Sequence, residues 1–146
     1  MPGNNPTSEE QVRSIVESWA HAVRTRDGKA LASHLAPGVI IYDLIAPLRY
    51  IGSAAVGDRA EQWLSTFEGP VGYEVSDLAI AAGDDVAFCH SLNHVDGVKK
   101  DGTKIEMWWR ATVCFEKIDG IWLVTHEHSS VPFDLSTGAA AFNLKP

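Results

Sequence analysis

Residues 108–134 read WWRATVCFEKIDGIWLVTHEHSSVPFD and contain a clear secondary-structure signal. Two runs rich in β-branched and aromatic residues, 105–117 and 121–132, are separated by Asp119-Gly120. An Asp-Gly pair between two such runs is a strong signal for a β-hairpin, because both residues tolerate the positive φ angles of a tight turn. The stretch therefore predicts two antiparallel, neighbouring strands near the C-terminal end of the chain.

The residues before this hairpin predict the remaining elements. Three further runs have the composition of strands: residues 39–44, 72–81 and 86–95. Three runs are expected to be helical: from Thr7 or Ser8 to Asp27-Gly28, residues 29–35, and from Ser53 to Gly69-Pro70. The order of two helices, a strand, a helix and an antiparallel meander predicts an α+β domain, with a curved sheet closed by helices around an apolar interior.

The length and charge of the chain limit its partners. The 146 residues fit one domain that spans 1–146. The net charge is −7, from 12 basic and 19 acidic residues, and this argues against nucleic acid or an anionic membrane, since either would call for a basic patch. The polar residues 1–6 and the Gly/Ala-rich residues from about 135 to 146 are predicted to be loose tails.

Two features predict a cytoplasmic location. The N-terminal residues MPGNNPTSEE contain no basic segment followed by an apolar one, so no signal peptide is expected. Cys89 and Cys114 both lie in apolar runs, which is typical of buried, reduced thiols in an intracellular protein. A disulfide between them stays open as an alternative if their strands are neighbours.

Asp43 is the first candidate functional residue. It lies in VIIYDLIAPL (39–48), with no other charged residue within four positions on either side. If its side chain points inward, desolvation favours the neutral form of the carboxyl, which suits it to abstract a proton next to a carbonyl group. The alternative is an exposed aspartate that caps the turn at the end of the strand.

Two histidines in WLVTHEHS (122–129) are further candidates. Strict alternation divides this strand into two faces: Trp122, Val124, His126 and His128 on one, and Leu123, Thr125, Glu127 and Ser129 on the other. His126 and His128 could hold a metal together with His90 or His94, donate hydrogen bonds, or move protons near neutral pH. Because an HxH pair is a weak metal signal, we expect hydrogen-bonded histidines and no metal.

Arg110 is the candidate cation. In EMWWRAT (106–112), alternation places it on the same face as Glu106, Trp108 and Thr112. A cation among apolar neighbours needs a partner, and Asp43, Glu127 or a ligand carboxylate would serve as well as Glu106. A structural salt bridge is the alternative. Several aromatic residues could line a pocket or belong to an ordinary core: Trp19, Trp63, Phe67, Tyr73, Trp108, Trp109 and Trp122.

The stretches HLAPGVIIYDLIAPLRYIG (34–52) and 108–134 resemble segments of SnoaL-like proteins, which are homologues of ketosteroid isomerase in the NTF2-like superfamily. The resemblance covers roughly residues 9–134. It implies an NTF2-like cone, in which N-terminal helices pack on a strongly curved, mainly antiparallel sheet, and a homodimer that pairs through the outer face of the sheet.

Alignment without gaps to ketosteroid isomerase places Asp43 at the position of the catalytic base. The position of that family's tyrosine falls on Trp19, and the position of its protonated acid falls at or near Thr112. Neither residue can supply the same oxyanion hole, so steroid isomerisation itself is not expected. Arg110, His126 or His128 would have to stabilise an oxyanion instead.

These observations predict a cofactor-independent acid/base enzyme of the isomerase, cyclase or hydrolase type. Its substrate would be a small, apolar, carbonyl-like or epoxide-like molecule in an internal pocket. The expected catalytic residues are Asp43, Arg110 and His128. The expected substrate-binding residues are Trp19, Tyr42, Trp63, Phe67, His90, Trp108, Thr112 and His126. The alternative is a small-molecule-binding or dimerisation module without catalysis, which the missing oxyanion pair would favour.

Overall fold

The structure is a computed structural model that describes residues 5–146. Most of the predicted N-terminal tail, residues 1–4, lies outside the described residues. The helices are α1 (Ser8–Arg24), α2 (Gly28–Ala32) and α3 (Ser53–Ser65). The strands are β1 (Leu35–Tyr42), β2 (Tyr50–Ile51), β3 (Phe67–Ala82), β4 (Val86–Lys99), β5 (Lys104–Ile118) and β6 (Ile121–Ser130). The predicted α+β order is confirmed, and β2 is an addition, because a strand of two residues leaves no pattern in the sequence.

The six strands form one curved sheet in the order β2-β1-β6-β5-β4-β3. Strands β3 to β6 form the predicted antiparallel meander, with turns at residues 83–85, 100–103 and 119–120. The predicted turn at Asp96-Gly97 is wrong, because this pair lies inside β4, where it pairs with residues of β5. Strand β1 lies parallel to β6, and β2 pairs with β1 in the antiparallel direction. The sheet therefore has an inner face, which the helices cover, and an outer face.

Helix α1 begins with a capping box at Thr7, one of the two residues predicted to start this helix. The Thr7 hydroxyl accepts a hydrogen bond from the Glu10 amide at 3.1 Å, and the Glu10 carboxylate accepts one from the Thr7 amide at 2.8 Å. The Trp122 indole on β6 donates to the Gln11 side chain at 2.8 Å, which fixes the helix against the inner face of the sheet. Among residues 5–146, no helix is long and apolar enough to cross a membrane.

The predicted ends of two helices are wrong. Strand β1 begins at Leu35, whereas the sequence predicts the end of a helix there. Gly69-Pro70 was predicted to end a helix, but α3 ends earlier, at Ser65, and the pair lies inside β3. The register of β3 with β4 shifts between Glu68 and Gly72, and β3 is an edge strand, so the missing N–H of proline costs no interior ladder hydrogen bond.

A β-bulge in β6 changes which side chains face the helices. Phe115 pairs with Val124 whereas Cys114 pairs with His126, so Thr125 is one extra residue in β6. Val124 and Trp122 face inward before the bulge, and Glu127 and Ser129 face inward after it. The predicted common face of Trp122, Val124, His126 and His128 is therefore wrong, because strict alternation does not allow for a bulge. His126 and His128 lie on the outer face.

The C-terminal segment, for which the sequence predicts a loose tail, turns back along the fold. The Asp134 amide donates to the Ala139 carbonyl and the Ala141 amide donates to the Pro132 carbonyl, each at 2.8 Å. This turn brings Phe142 against the interior of the cone. Both cysteines are free: Cys89 is buried on the inner face, and Cys114 is half-buried.

Candidate active site

The cone encloses a cavity of about 300 Å³, which lies at the lower end of the size range of small-molecule sites. Helices α1, α2 and α3, the inner face of the sheet and the C-terminal segment all contribute to its wall. The apolar part consists of Trp19, Val23, Leu31, Ile41, Leu44, Ile45, Val56, Ala60, Trp63, Val95, Met107, Trp109 and Phe142. The polar part consists of Asp43, Arg59, Tyr73, Glu127 and Ser129.

Asp43 and Glu127 reach the cavity from neighbouring parallel strands. Ile41 of β1 pairs in register with Glu127 of β6, and Asp43 follows Ile41 by two residues on the same side. One oxygen of the Asp43 carboxylate accepts a hydrogen bond from the Leu44 amide at 2.7 Å. The arrangement gives one largely apolar cavity two carboxyl groups that influence each other electrostatically.

Burial, followed by the negative charge of Asp43, raises the pKa of Glu127 from 4.5 to about 7. Hydrogen bonding by Ser129 lowers the pKa and only partly offsets these two causes. Glu127 is half-buried, and its side chain lines the cavity. At neutral pH this carboxyl is therefore divided between its protonated and ionised forms, so it can either donate or accept a proton.

Tyr73 supplies a hydroxyl group to the same cavity. Its oxygen accepts a hydrogen bond from the Asn93 amide at 3.1 Å, and the Ser91 hydroxyl donates to the Asn93 carbonyl oxygen at 2.7 Å. Burial, followed by the negative charge of Glu127, raises the pKa of Tyr73, so the phenol keeps its proton at neutral pH. Since Asn93 uses a lone pair of the oxygen, the O–H proton stays available to a bound molecule.

A second, smaller cavity of about 40 Å³ lies beside the first and shares Trp19, Tyr73 and Glu127 with it. Ser91 and Asn93 also line it. Its volume is sufficient for a single water molecule, and its polar groups can hydrogen-bond one.

The histidines predicted near the site lie on the outer face. His126 contacts the Ile40 carbonyl oxygen through Nδ1 at 2.7 Å, and the Tyr42 ring packs edge-on against His126 and His128. His90 pairs with Thr112, and Thr112 pairs with His128, so a whole strand separates the two histidines. In the described part of the chain, no three His, Cys, Asp or Glu side chains are grouped as a metal site would require.

Arg110 and its neighbours also lie on the outer face. The Arg110 side chain is exposed and donates to the Ser130 hydroxyl at 3.1 Å, so it neither lines the cavity nor pairs with Asp43. Trp108 packs against His94, whose ring lies 3.3 Å from the Glu106 carboxylate. The roles predicted for Arg110 and His128 in catalysis therefore have no geometric support from the cavity.

Of the residues that the sequence singles out, the cavity brings together Trp19, Asp43, Trp63, Tyr73 and Trp109. Phe67 is buried behind Trp63, with the two rings 5.2 Å apart. The others lie outside the lining of the cavity: Tyr42, His90, Trp108, Arg110, Thr112, His126 and His128. Three polar lining residues have no functional role predicted from sequence: Arg59, Glu127 and Ser129.

Helices packed inside a curved sheet around one apolar cavity define a protein of the NTF2-like class. The family model of the SnoaL-like domain matches residues 12–134, and the chain belongs to this family. No specific reaction or substrate follows from that membership.

Solved structures of several bacterial proteins share the fold. An NTF2-like protein of unknown function from Pseudomonas putida KT2440 is 34% identical, with a TM-score of 0.85 over 94% of this chain and 96% of that one. A ketosteroid isomerase-like protein from Erwinia carotovora atroseptica is 14% identical, with a TM-score of 0.72 over 86% and 97% of the two chains. No functionally curated protein matches in sequence.

Proposed function

We propose that the protein is a cofactor-independent acid/base enzyme that moves a proton on a small, mainly apolar carbonyl compound. The observation that carries this proposal is the pair of carboxyls, Asp43 and Glu127, in one apolar cavity, where burial and the charge of Asp43 raise the pKa of Glu127 to about 7. Two carboxyls that hold different protonation states at one pH can divide the roles of base and acid.

In the proposed reaction, ionised Asp43 removes a proton from the carbon next to the carbonyl group. The electron pair of the broken C–H bond forms the C=C bond of an enol, and the π electrons of the carbonyl move to its oxygen. Protonated Glu127 and the hydroxyl of Tyr73 donate to that oxygen as charge develops there. In a β,γ-unsaturated carbonyl compound, the enol is a dienol, and return of the proton from Asp43 to its γ-carbon moves the C=C bond into conjugation, reforms the carbonyl and restores both carboxyls.

Tyr73 and Glu127 would replace the oxyanion pair that comparison with ketosteroid isomerase finds missing at Trp19 and Thr112. Both reach the cavity, and both hold a transferable proton near neutral pH because burial raises their pKa values. The stabilisation of an oxyanion, predicted from sequence for Arg110 or His128, is therefore proposed for two residues of the inner face.

Hydrolysis of an epoxide-like molecule is a second candidate reaction. The small cavity beside Glu127 has room for one water molecule within reach of Ser91 and Asn93. Ionised Glu127 would take a proton from that water as it attacks the epoxide carbon, and the opened oxygen would take a proton from Tyr73 or solvent. Release of diol rather than exchange of a carbon-bound proton would identify this reaction.

Solvent deuterium exchange tests the proposal. Proton NMR would follow loss of the α-proton signal of a panel of small cyclic ketones and enones incubated with protein in D₂O. We expect Asp43→Asn to slow exchange by roughly 10²- to 10⁴-fold with little change in melting temperature, because the base is lost and no packing is removed. The exposed Glu116→Gln on β5 is the matched control and should exchange at the unaltered rate.

The same variant has a second readout in Glu127. Because the charge of Asp43 contributes to the raised pKa of Glu127, Asp43→Asn should lower that pKa in a carbon-13 titration of the carboxyl. Unaltered exchange in Asp43→Asn would contradict the proposal. Tight binding of the panel without exchange or hydrolysis would instead support a non-catalytic binding module.

We also propose that the protein is a homodimer whose subunits pair through the outer face of the sheet. Phe88 and Tyr42 are 50% and 40% exposed on this face, and Leu92 and Trp108 are half-buried beside them. A surface of this kind loses unfavourable apolar exposure when a second copy covers it.

A further inference from the structure

The cavity contains a cation that the proposed proton transfer does not use. Arg59 lies on α3, on the helix face that also carries Val56, Ala60 and Trp63 into the cavity. Its side chain is half-buried, and its Nε donates to the Tyr50 hydroxyl at 3.2 Å. A guanidinium group has five N–H donors, so this bond leaves the two terminal amino groups available.

No acidic side chain neutralises Arg59 in the described part of the chain. Neither Asp43 nor Glu127 lies within 4.0 Å of its nitrogen atoms, although both line the same cavity. No side-chain nitrogen or oxygen of residues 5–146 is both buried and without a hydrogen-bond partner, so the terminal amino groups keep access to the cavity or to solvent. Burying a charge in part without a partner is unfavourable, and a bound anion would remove that cost.

A second cation lies near Arg59 and adds to the positive potential there. The Lys99 ammonium lies over the Phe67 ring, 4.3 Å from its centre, and Phe67 packs behind Trp63 of the cavity wall. Burial lowers the pKa of Lys99, Asp101 counteracts this, and the positive charge of Arg59 lowers it further. Arg59 therefore supplies the cationic group of the cavity lining on the α3 side, whereas Asp43 and Glu127 lie on the β1–β6 side.

We infer that Arg59 is the binding site for a carboxylate carried by the substrate. A planar guanidinium group matches a carboxylate through two parallel hydrogen bonds. A single negative charge fits better than a phosphate dianion, because the same cavity already holds Asp43 and Glu127. This inference rests on the proposed function and extends it: the substrate is an apolar carbonyl compound that bears a carboxylate, which Arg59 orients so that the reacting carbon lies at the two carboxyls.

Paired probes test the inference. Isothermal titration calorimetry would compare 2-naphthylacetate with its neutral amide, 2-naphthylacetamide, on the full chain. We expect the carboxylate to bind at least about tenfold more tightly than the amide, with a preference that weakens as ionic strength rises. Arg59→Gln should abolish this preference, and Arg59→Lys should keep part of it. The control is Arg13→Gln, since Arg13 lies on α1 and pairs with Glu9 outside the cavity.

Two results would overturn the inference. Equal binding of acid and amide by the unaltered protein would show that Arg59 does not select an anion, and so would a carboxylate preference that persists in Arg59→Gln. The proposed proton transfer is measured separately, by exchange on neutral ketones and its loss in Asp43→Asn. The failure of one proposal is therefore distinguishable from the failure of the other.

Discussion

Glu127 shows how far one residue's chemistry depends on its surroundings. In sequence it is an acidic residue between two histidines, and the sequence pattern points to those histidines as the functional residues. In the fold it is enclosed beside Asp43, and the resulting rise of its pKa to about 7 makes it a proton donor at neutral pH. Asp43 was recognisable from sequence because no other charge lies near it in an apolar run, whereas nothing local marked Glu127.

The buried carboxyl makes stability depend on pH. Between its ordinary pKa of 4.5 and the folded value of about 7, the folded protein holds a proton that the unfolded chain has released. The free energy of unfolding therefore falls as the pH rises through this window, by a total of about 3 kcal/mol, and is constant below it. Glu127→Gln resembles the protonated form and should remove this dependence.

We expect thermal unfolding to reveal the difference. Near pH 8 the Glu127→Gln variant should melt several degrees above the unaltered protein, and near pH 4.5 the two should melt together. The exposed Glu116→Gln serves again as the control and should follow the unaltered protein at both pH values. Parallel melting curves for Glu127→Gln and the unaltered protein across the whole range would mean that Glu127 is ionised in the fold.

At the scale of elements, close packing between β4 and the start of β3 fixes the wall of the cavity behind Trp63. A Cβ atom added at Gly97 would lie 2.8 Å from Cδ1 and 2.9 Å from Cε1 of Phe67. Phe67 is fully buried, and its ring is held between Trp63 and the Lys99 ammonium, so it has little freedom to move away. Glycine at this position therefore keeps Phe67, and with it Trp63, in place.

Gly97→Ala should reduce the free energy of unfolding by about 1–3 kcal/mol, because the added methyl group overpacks the site. Gly72→Ala is the matched control on the paired strand: its Cβ would meet the exposed Asp96 side chain, which can rotate away. That variant should change stability by less than about 0.5 kcal/mol. Urea denaturation measures both, and equal effects of the two substitutions would mean that Phe67 yields as easily as Asp96.

At the scale of the whole molecule, the two faces of the sheet differ in the residues they carry and in their proposed roles. The inner face and the helices form the cavity, and the outer face carries His90, His94, His126, His128 and Arg110. These are the residues that sequence patterns most readily connect with catalysis. In the proposed dimer they would instead lie at or near the contact between subunits.

Sedimentation velocity should therefore give a mass near twice the 15.9 kDa of one chain. Leu92→Glu should produce monomers, because it would bury an unpaired charge on the outer face of β4. Leu48→Glu is the control, since Leu48 is 93% exposed and lies outside the sheet. A monomeric mass for the unaltered protein, or a dimer that survives Leu92→Glu, would rule out pairing through this face.

Every element except the two-residue β2, and their order along the chain, follows from local sequence features, because capping, apolar spacing and Asp-Gly turns act between residues close together in the chain. The capping box at Thr7, the hairpin at Asp119-Gly120 and the carboxyl of Asp43 in an apolar run are all local features. They suffice to indicate an α+β cone and one acidic group for its interior.

Which side chains share the cavity depends on tertiary packing between distant parts of the chain. The single extra residue at Thr125 turns Glu127 inward and His126 and His128 outward, and its position depends on pairing with β5 rather than on local sequence. Arg59 and Glu127 are 68 positions apart in the chain, and folding brings both side chains into the lining of one cavity. Contacts over such separations leave no periodic pattern in the sequence, so the set of residues that line the site cannot be predicted from sequence patterns.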